Sequence, residues 1–170
     1  LCGEVIQSHS LHAYYLAGPD WFGQPDVFHM AAQYPELVRI ALRVKAFGNL
    51  LSETIGGRHV HPVAIVPGGF TCTPSKEALA ALLPKVEQCR RDLLASIPLI
   101  RQVKLPDLQR PTEYLAISHP EEYSFYDGQI RSSSVGGAFH PDEYPRVVHE
   151  FMTEHSTAKH AHGASGGAPV

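Results

Sequence analysis

Histidine is the side chain with which this sequence can do most chemistry, because 11 of its 170 residues are histidines. An imidazole changes charge near neutral pH and binds metal ions through a ring nitrogen. Three groups stand close together along the chain: His9 with His12, His59 with His61, and His155 with His160 and His162. The first pair would share a face of a helix and the second a face of a strand. A lone histidine is more often a surface or hydrogen-bonded residue, so spacing alone does not establish a metal site.

Two glycine doublets are the second feature that could serve a site. The run Gly56-Gly57-Arg58-His59-Val60-His61-Pro62 is followed closely by Pro67-Gly68-Gly69. Glycine allows the backbone to adopt positive φ and to approach another group closely. Arg58 and His61 would offer charge-assisted hydrogen bonds in such a place. The same pattern also fits two ordinary turns around a strand, and both interpretations stay open.

Composition excludes several classes of protein. The chain is 44% hydrophobic and 18% charged, which is typical of a folded protein. Its net charge is −3 and its basic residues are scattered, so nucleic acid is not an expected partner. No apolar run approaches the roughly 20 residues of a membrane span. The chain contains no G-x-G-x-x-G or Walker A sequence, and its one G-x-S-x-G run, at residues 163–167, lies in the low-complexity tail with no predicted strand beside it.

The three cysteines, Cys2, Cys72 and Cys89, are far apart in the sequence and form no C-x-x-C pair. Neither a zinc knuckle nor a disulfide framework is therefore indicated. Unpaired thiols fit a reducing compartment, so we expect a cytoplasmic location. Leu1 to His12 does not resemble a signal peptide. The sequence begins without Met and inside an apparent helix, so we expect it to be part of a longer protein.

The elements that would position these residues are mostly helices. One is predicted from Leu1 to Ala17 and ends at Gly18-Pro19, and a short one capped by Asp26 runs to Tyr34. A long helix from Pro35 carries an apolar stripe and ends at Gly56-Gly57. Its stripe consists of Ile40, Val44, Phe47, Leu51 and Ile55. A fourth helix opens at Thr73-Pro74 with Thr73 as cap, is broken or kinked at Pro84 and ends near Pro98.

Short extended segments complete the prediction. They are His59–Val66, Tyr114–Ile117 and Gln129–Ser133, with Pro67-Gly68-Gly69 as a turn and a last helix over Pro141–Met152. The predicted fold class is mainly α (α+β), as one partial domain over residues 1–162. Residues 163–170 are small and low in complexity, which is typical of a flexible tail.

Three motifs together resemble the large subunit of [NiFe] hydrogenases. The run from Ile6 to His12, continuing to Pro19-Asp20, is similar to the helix that follows the family's first cysteine pair. The run from Glu53 to Pro62, with Pro67-Gly68-Gly69, resembles its second large-subunit motif. Glu154 to His160 resembles a motif of the cytoplasmic branch, whose members couple hydrogen to NAD(P), viologen-type carriers or deazaflavin. The resemblance runs from Leu1 to about His160.

The resemblance implies a metal centre whose ligands this chain lacks. In the family, four cysteine thiolates in two C-x-x-C pairs hold a nickel bridged to an iron that carries CO and cyanide. Neither pair is present, so no metal ligand is expected here, and the chain would supply the surroundings of the centre. The implied activity is reversible H2 oxidation. The implied partners are a small subunit with iron–sulfur clusters and possibly diaphorase subunits that bind NAD(P).

The resemblance also assigns roles residue by residue. Ser8 falls where membrane-linked relatives carry an aspartate over the metals, and His9 and His12 lie beside it. Glu53, with the histidines, is a candidate for the proton path. Arg58 and His61 match a basic residue and a histidine that lie towards the iron–sulfur cluster of the small subunit.

Two other functions remain open at this stage. One is a related subunit that has lost its metals, as in the quinone-reducing respiratory NADH dehydrogenase. The other is a histidine-rich metal-binding protein without enzymatic activity. Cysteine pairs in flanking sequence would favour the hydrogenase, and metal titration would identify the metal-binding protein.

Overall fold

The chain forms two compact units, residues 1–106 and the part from Asp107 onward, in a computed structural model that describes residues 1–163. The first unit is mostly helical, and the described part of the second contains short hairpins. The mainly α class with a few short strands is confirmed. Residues 164–170, which make up most of the expected tail, lie outside the described residues. In the described range, no helix is both long enough and apolar enough to cross a membrane.

The first unit is built from five α-helices and one π-helical segment. They are α1 (Cys2–Ser10), the π-helical segment (Leu11–Leu16), α2 (Ala17–Trp21), α3 (Val27–Gln33), α4 (Pro35–Gly56) and α5 (Lys76–Ile100). The helix predicted to stop at Gly18-Pro19 instead continues to Trp21. Its hydrogen-bond ladder has already changed register there, because the Ala17 N–H donates to the His12 carbonyl five residues back. A proline placed at such a change of register costs the helix less than one inside a regular ladder.

The long helix α4 matches its prediction closely. It starts at Pro35 and ends before Gly57, whose φ of 80° caps it in the left-handed conformation. Ile40, Val44 and Phe47 are buried in one cluster with Cys89, as the stripe predicts. Leu51 is only half-buried at the edge of that cluster. The cap predicted at Asp26 is also confirmed, since its carboxylate accepts the first backbone N–H groups of α3.

Helix α5 differs from its prediction at two points. Its cap is Ser75, whose hydroxyl accepts the Ala78 N–H, and the predicted cap Thr73 lies outside the helix. A serine three residues before that amide reaches it directly. A break or kink was predicted at Pro84; the break is wrong, because α5 continues without interruption to Ile100.

Helices α1 and α4 pack antiparallel with their backbones in close approach. Gly3 lies against Gly48 and Ser52, whereas Gln7, one turn further along α1, lies against Gly48. A Cβ atom on Gly48 would lie 2.6 Å from the Gln7 nitrogen and 2.8 Å from the Gly3 carbonyl oxygen. Two glycines therefore set the position of α1 on α4, because no larger residue fits at either place.

Polar contacts fix α5 against the other helices. Arg43 on α4 donates from both Nε and Nη2 to the carboxylate of Asp92, at 2.8 Å for each bond. This bidentate pair lowers the pKa of the buried Asp92 carboxyl. On the same helix Ser96 shares a 2.7 Å hydrogen bond with the Tyr14 hydroxyl. Both contacts satisfy polar groups that burial would otherwise leave unpaired.

The loop between α4 and α5 holds one small hairpin. Strands β1 (Ile65–Val66) and β2 (Gly69–Phe70) pair across Pro67 and Gly68, so the predicted turn is confirmed. Of the strand or extended run predicted over His59–Val66, only Ile65–Val66 forms a strand. His61 has a φ of 53°, which lies in the left-handed region and cannot belong to a strand.

The second unit contains two antiparallel hairpins. Strands β3 (Leu115–Ser118) and β4 (Gln129–Ser132) pair as the predicted extended segments require. A 3-10 turn (Pro141–Glu143) and α6 (Tyr144–Val147) lead into β5 (Val148–Met152), which pairs with β6 (Lys159–Gly163). The helix predicted over Pro141–Met152 is therefore wrong after Val147. That part is a strand because it pairs with β6, and the local helix signals do not show this pairing.

Candidate functional site

The helix patch, which consists of Ser8, His9 and His12, lies at the end of α1 and in the π-helical segment. The Nδ1 atom of His9 lies 2.9 Å from the Val5 carbonyl oxygen. The Nδ1 atom of His12 lies 2.7 Å from the carbonyl oxygen of Ser8. A carbonyl can only accept, so each ring donates from Nδ1 and its Nε2 is the nitrogen without a hydrogen. Both rings are exposed, so Nε2 is within reach of solvent.

Ser8 is half-buried and offers a hydroxyl at this patch. Its Oγ lies 3.5 Å from the Val5 carbonyl oxygen, at the outer limit of a hydrogen bond. The hydroxyl is therefore held weakly within the helix and can turn to another acceptor or donor. A neutral hydroxyl hydrogen-bonds a neighbour but does not act as a base at neutral pH.

The π-helical segment directly follows the helix patch and includes His12. A single π-helical turn inserts an extra residue into the ladder and redirects the side chains that follow. Here it turns Tyr14 inward to Ser96 and leaves His12 outside. Such segments occur frequently at functional sites, so this feature agrees with the expected place of the patch.

An apolar cavity of about 260 Å³ lies between α1, α4 and α5, with His9 among the residues that line it. Val5, Ala13, Val44 and Leu93 contribute much of the remaining wall. Its volume suits a small apolar molecule better than a typical organic substrate. A histidine at the edge of such a cavity can exchange a proton with what the cavity holds.

The loop patch, which consists of Glu53, Arg58 and His61, lies at the end of α4 and in the loop after it. All three side chains are exposed. Arg58 donates from Nε to the Val60 carbonyl oxygen at 2.7 Å, which holds its guanidinium across the loop. The left-handed φ of Gly57 and of His61 folds this loop back on itself. The loop therefore presents a cationic group and an imidazole on the surface.

The structure does not bring the two patches together. Helix α1 runs antiparallel to α4. Gly3 therefore lies beside Ser52, whereas Gln7 lies beside Lys45, closer to the start of α4. Ser8 to His12 then lie beyond Gln7, away from the loop patch. Along α4, Gly48 is five positions and Lys45 eight positions before Glu53. At 1.5 Å per residue, these separations are about 8–12 Å along the helix axis. The six predicted residues therefore lie in two separate patches.

The side chains of this chain do not fit a nickel–iron centre. Cys2 and Cys72 are exposed and Cys89 is buried, and burial raises the pKa of the Cys89 thiol. Within residues 1–163, no three histidine, cysteine or acidic side chains converge as a metal site. Soft thiolate ligands in pairs are what such a centre requires. No step of the chemistry can therefore be assigned to a metal held by these residues.

Sequence inspection missed the polar contacts that hold the helices in place. Tyr14 with Ser96 and Arg43 with Asp92 join residues 82 and 49 positions apart. One signal was available for the second pair, because Asp92 lies on α5 among residues that the helical period places on the buried side with Cys89. The partner on α4 could not be named without the packing of the helices.

Comparison with known proteins gives one consistent group of relatives. The alpha subunit of sulfhydrogenase 1 from Pyrococcus furiosus is 30% identical over 169 residues, which covers 94% of this chain and 38% of that protein. A vhu F420-non-reducing hydrogenase subunit of Methanocaldococcus jannaschii is 28% identical over 185 residues, covering 98% of this chain and 44% of that protein. The alpha subunit of sulfhydrogenase 2 from P. furiosus is 53% identical over 79 residues, 46% of this chain and 19% of that protein. No protein-family model matches.

A solved structure gives the same result for the fold. A crystal structure of NAD+-reducing [NiFe]-hydrogenase in the H2-reduced state matches with a TM-score of 0.83 and 26% sequence identity. The match covers 97% of this chain and 41% of the other. In sequence and in fold, this chain is a relative of hydrogenase large subunits.

The relatives define the branch more narrowly. They include sulfhydrogenases, F420-non-reducing hydrogenases and an NAD+-reducing [NiFe]-hydrogenase. The resemblance found in the motifs is thereby confirmed. The chain spans about two fifths of the length of these relatives where nearly all of it is matched.

Proposed function

We propose that this chain is a segment of the large subunit of a [NiFe] hydrogenase that catalyses H2 ⇌ 2 H⁺ + 2 e⁻. The observation that carries the proposal is the match over nearly the whole chain to hydrogenase subunits, together with the fold of an NAD+-reducing [NiFe]-hydrogenase. The metal ligands then come from parts of the subunit other than these 170 residues. The role of this segment is to surround and connect the centre.

The helix patch is proposed to lie on the metal side of the segment. His9 and His12 each present Nε2 outward with Nδ1 fixed to the helix backbone, so both are suited to passing protons. Ser8 supplies a hydrogen bond and not a base. The apolar cavity beside His9 supports this placement, because a small apolar gas partitions into apolar space.

The loop patch is proposed to face the iron–sulfur small subunit. Arg58 and His61 are exposed on a loop that turns through two left-handed residues. A cationic or hydrogen-bonding group beside a cluster raises its reduction potential and stabilises the reduced state. The exposed Glu53 lies at the base of the same loop and is proposed to belong to the proton path.

The electron acceptor is proposed to be NAD(P)+, reached through the clusters of the small subunit and then through diaphorase subunits in the cytoplasm. The match in fold to an NAD+-reducing [NiFe]-hydrogenase supports this choice. The metal-free and histidine-rich alternatives have no relative among the proteins reported above.

The proposal is tested on the intact complex. The protein is tagged in its native cell and purified with its bound subunits, and nickel and iron are measured along with H2-dependent reduction of benzyl viologen and of NAD+. We expect nickel and iron in the complex and reduction of both acceptors. Reduction of the viologen alone would retain the hydrogenase and remove NAD+ as acceptor. A complex that contains no nickel and leaves both acceptors oxidised would contradict the proposal.

A further inference from the structure

One face of the hairpin formed by β5 and β6 carries three histidines. In the antiparallel register, His149 lies directly opposite His162, and Phe151 lies directly opposite His160. Successive residues of a strand point to opposite faces, so these four side chains share one face. The sequence pattern showed His160 with His162 but could not show that His149 joins them.

On the opposite face of the hairpin, the polar side chains already pair with residues of the same unit. Glu150 accepts from the Lys159 ammonium and from the Tyr144 hydroxyl, both at 2.9 Å. Lys159 and Tyr144 thereby lower the pKa of Glu150. The histidine face has no comparable arrangement. Within residues 1–163, the structure shows no hydrogen bond from the exposed rings of His149 and His160.

His162 is fixed at the centre of this face with one nitrogen unused. Its ring stacks on Phe151 with centroids 4.5 Å apart and planes 13° apart. Its Nδ1 atom is shielded from solvent and has no hydrogen-bond partner. A buried polar nitrogen without a partner carries a free-energy penalty that a ligand bond would remove.

Cross-strand geometry places further ligands beside that nitrogen. The Cβ atoms of directly opposed residues lie about 4.5–5.5 Å apart, so the ring of His149 can swing towards His162. His160 lies two residues from His162 on the same strand and face. No three metal-ligating side chains converge in the described residues, so the exposed rings have to rotate onto the ion. Exposed side chains change rotamer readily.

We propose that this face binds one divalent transition-metal ion of the zinc class, with His162 as anchor, His149 as second ligand and His160 as third. Neutral imidazoles prefer zinc, nickel or copper to magnesium or calcium, which require several oxygen ligands. Water fills the remaining positions of a tetrahedral shell. The proposed site rests only on residues of the hairpin.

The test is a zinc titration of the metal-free 170-residue chain. Zinc affinity is measured by competition with a coloured chelator, and ¹⁵N NMR of histidine-labelled protein identifies the coordinating rings. We expect one tight site, with the His162 and His149 nitrogens shifted on zinc binding. His149→Asn and His162→Asn should each weaken zinc binding at least about tenfold, and His160→Asn should weaken it less.

Two matched controls make the test decisive. His155→Asn changes a histidine in the turn of the same hairpin, where a φ of 60° also suits asparagine. His9→Asn combined with His12→Asn removes the histidine pair on α1. Both controls should leave zinc affinity within twofold of the original. Because His149 is exposed, its replacement tests the site even if His162→Asn disturbs the hairpin. Unchanged affinity in His149→Asn, or affinity lost in the His9 and His12 double variant, would overturn the proposal.

Discussion

The two units of this chain are each stabilised in a different way. Of the described hydrophobic residues that are buried, ten lie in the first unit, and only Ile130 and Val147 lie in the second. The first unit is stabilised by helix packing around the stripe of α4. The second depends mainly on the hydrogen bonds of its two hairpins. The first unit, which carries both the helix patch and the loop patch, therefore has the larger buried core to hold these side chains in place.

The largest expected effect is that the chain by itself has no hydrogenase activity, whichever unit is considered. The purified 170-residue chain should bind no nickel–iron centre and take up no hydrogen, because it contains no cysteine pair. Metal analysis and a hydrogen electrode measure this directly. Hydrogen uptake together with bound nickel and iron would show that the ligands lie among residues regarded here as surroundings.

Replacing a glycine by alanine should lower the unfolding free energy much more at Gly48 in the first unit than at a glycine in the second. Gly48→Ala inserts a Cβ between the backbones of α1 and α4, and the clash outweighs any gain in helix propensity. The unfolding free energy of the first unit should fall by at least about 2 kcal/mol. Urea denaturation followed by circular dichroism measures the change.

The matched control for that substitution lies in the second unit. A Cβ on Gly136 would meet no atom within 4 Å, so Gly136→Ala should change the unfolding free energy little, by about 0.5 kcal/mol or less. Equal effects of the two substitutions would show that the close approach of α1 and α4 does not determine the stability of the first unit.

The ion pair between α4 and α5 should respond unequally to loss of its two partners. Arg43→Met leaves the buried Asp92 carboxylate without its cation and should cost about 2–3 kcal/mol. Asp92→Asn leaves a half-exposed arginine that water can solvate, so it should cost only about 1 kcal/mol. Thermal melts of both variants at neutral pH test the order. A larger loss for Asp92→Asn would contradict this description of the pair.

The ion pair between Arg43 and Asp92 should also make the stability of the chain depend on pH, which is a smaller effect. The pKa of Asp92 is lower in the folded chain than in the unfolded chain, chiefly because of the hydrogen bonds from Arg43. Its contribution is therefore complete above the unfolded pKa of about 3.9 and is lost as pH falls through the lower folded pKa. The difference in stability between the original chain and Asp92→Asn should shrink below about pH 4. A difference that stays constant down to pH 2 would contradict a lowered pKa of Asp92 in the folded chain.

The two units also differ in how much of their structure the sequence could predict. The spacing of Ile40, Val44 and Phe47 identifies α4 because a helix buries every third or fourth residue, and local caps such as Asp26 mark its neighbours. The pairing of β5 with β6 depends on the register between the two strands, which the pattern within either strand does not specify. For the same reason the histidines of the helix patch were found together, and the opposition of His149 to His162 was not.

The separation of the helix patch from the loop patch is the central claim for function, and it allows a direct experiment. Ser8→Ala should keep a sizeable fraction of turnover at full nickel occupancy, because its hydroxyl supplies a hydrogen bond and not the essential proton. His61→Ala should leave nickel content unchanged and slow electron transfer to the small subunit. His59→Ala, in the same exposed loop, is the matched control.

The most direct measurement compares two activities of each variant in the intact complex. Exchange between H2 and D2O needs only the metal centre and its proton path, whereas acceptor reduction also needs the route through the clusters. We predict that His61→Ala keeps the exchange rate and loses most acceptor reduction, and that His59→Ala keeps both. If His61→Ala instead abolished exchange or nickel binding, with cluster potentials unchanged, the loop patch would belong to the metal site and the separation of the two patches would be wrong.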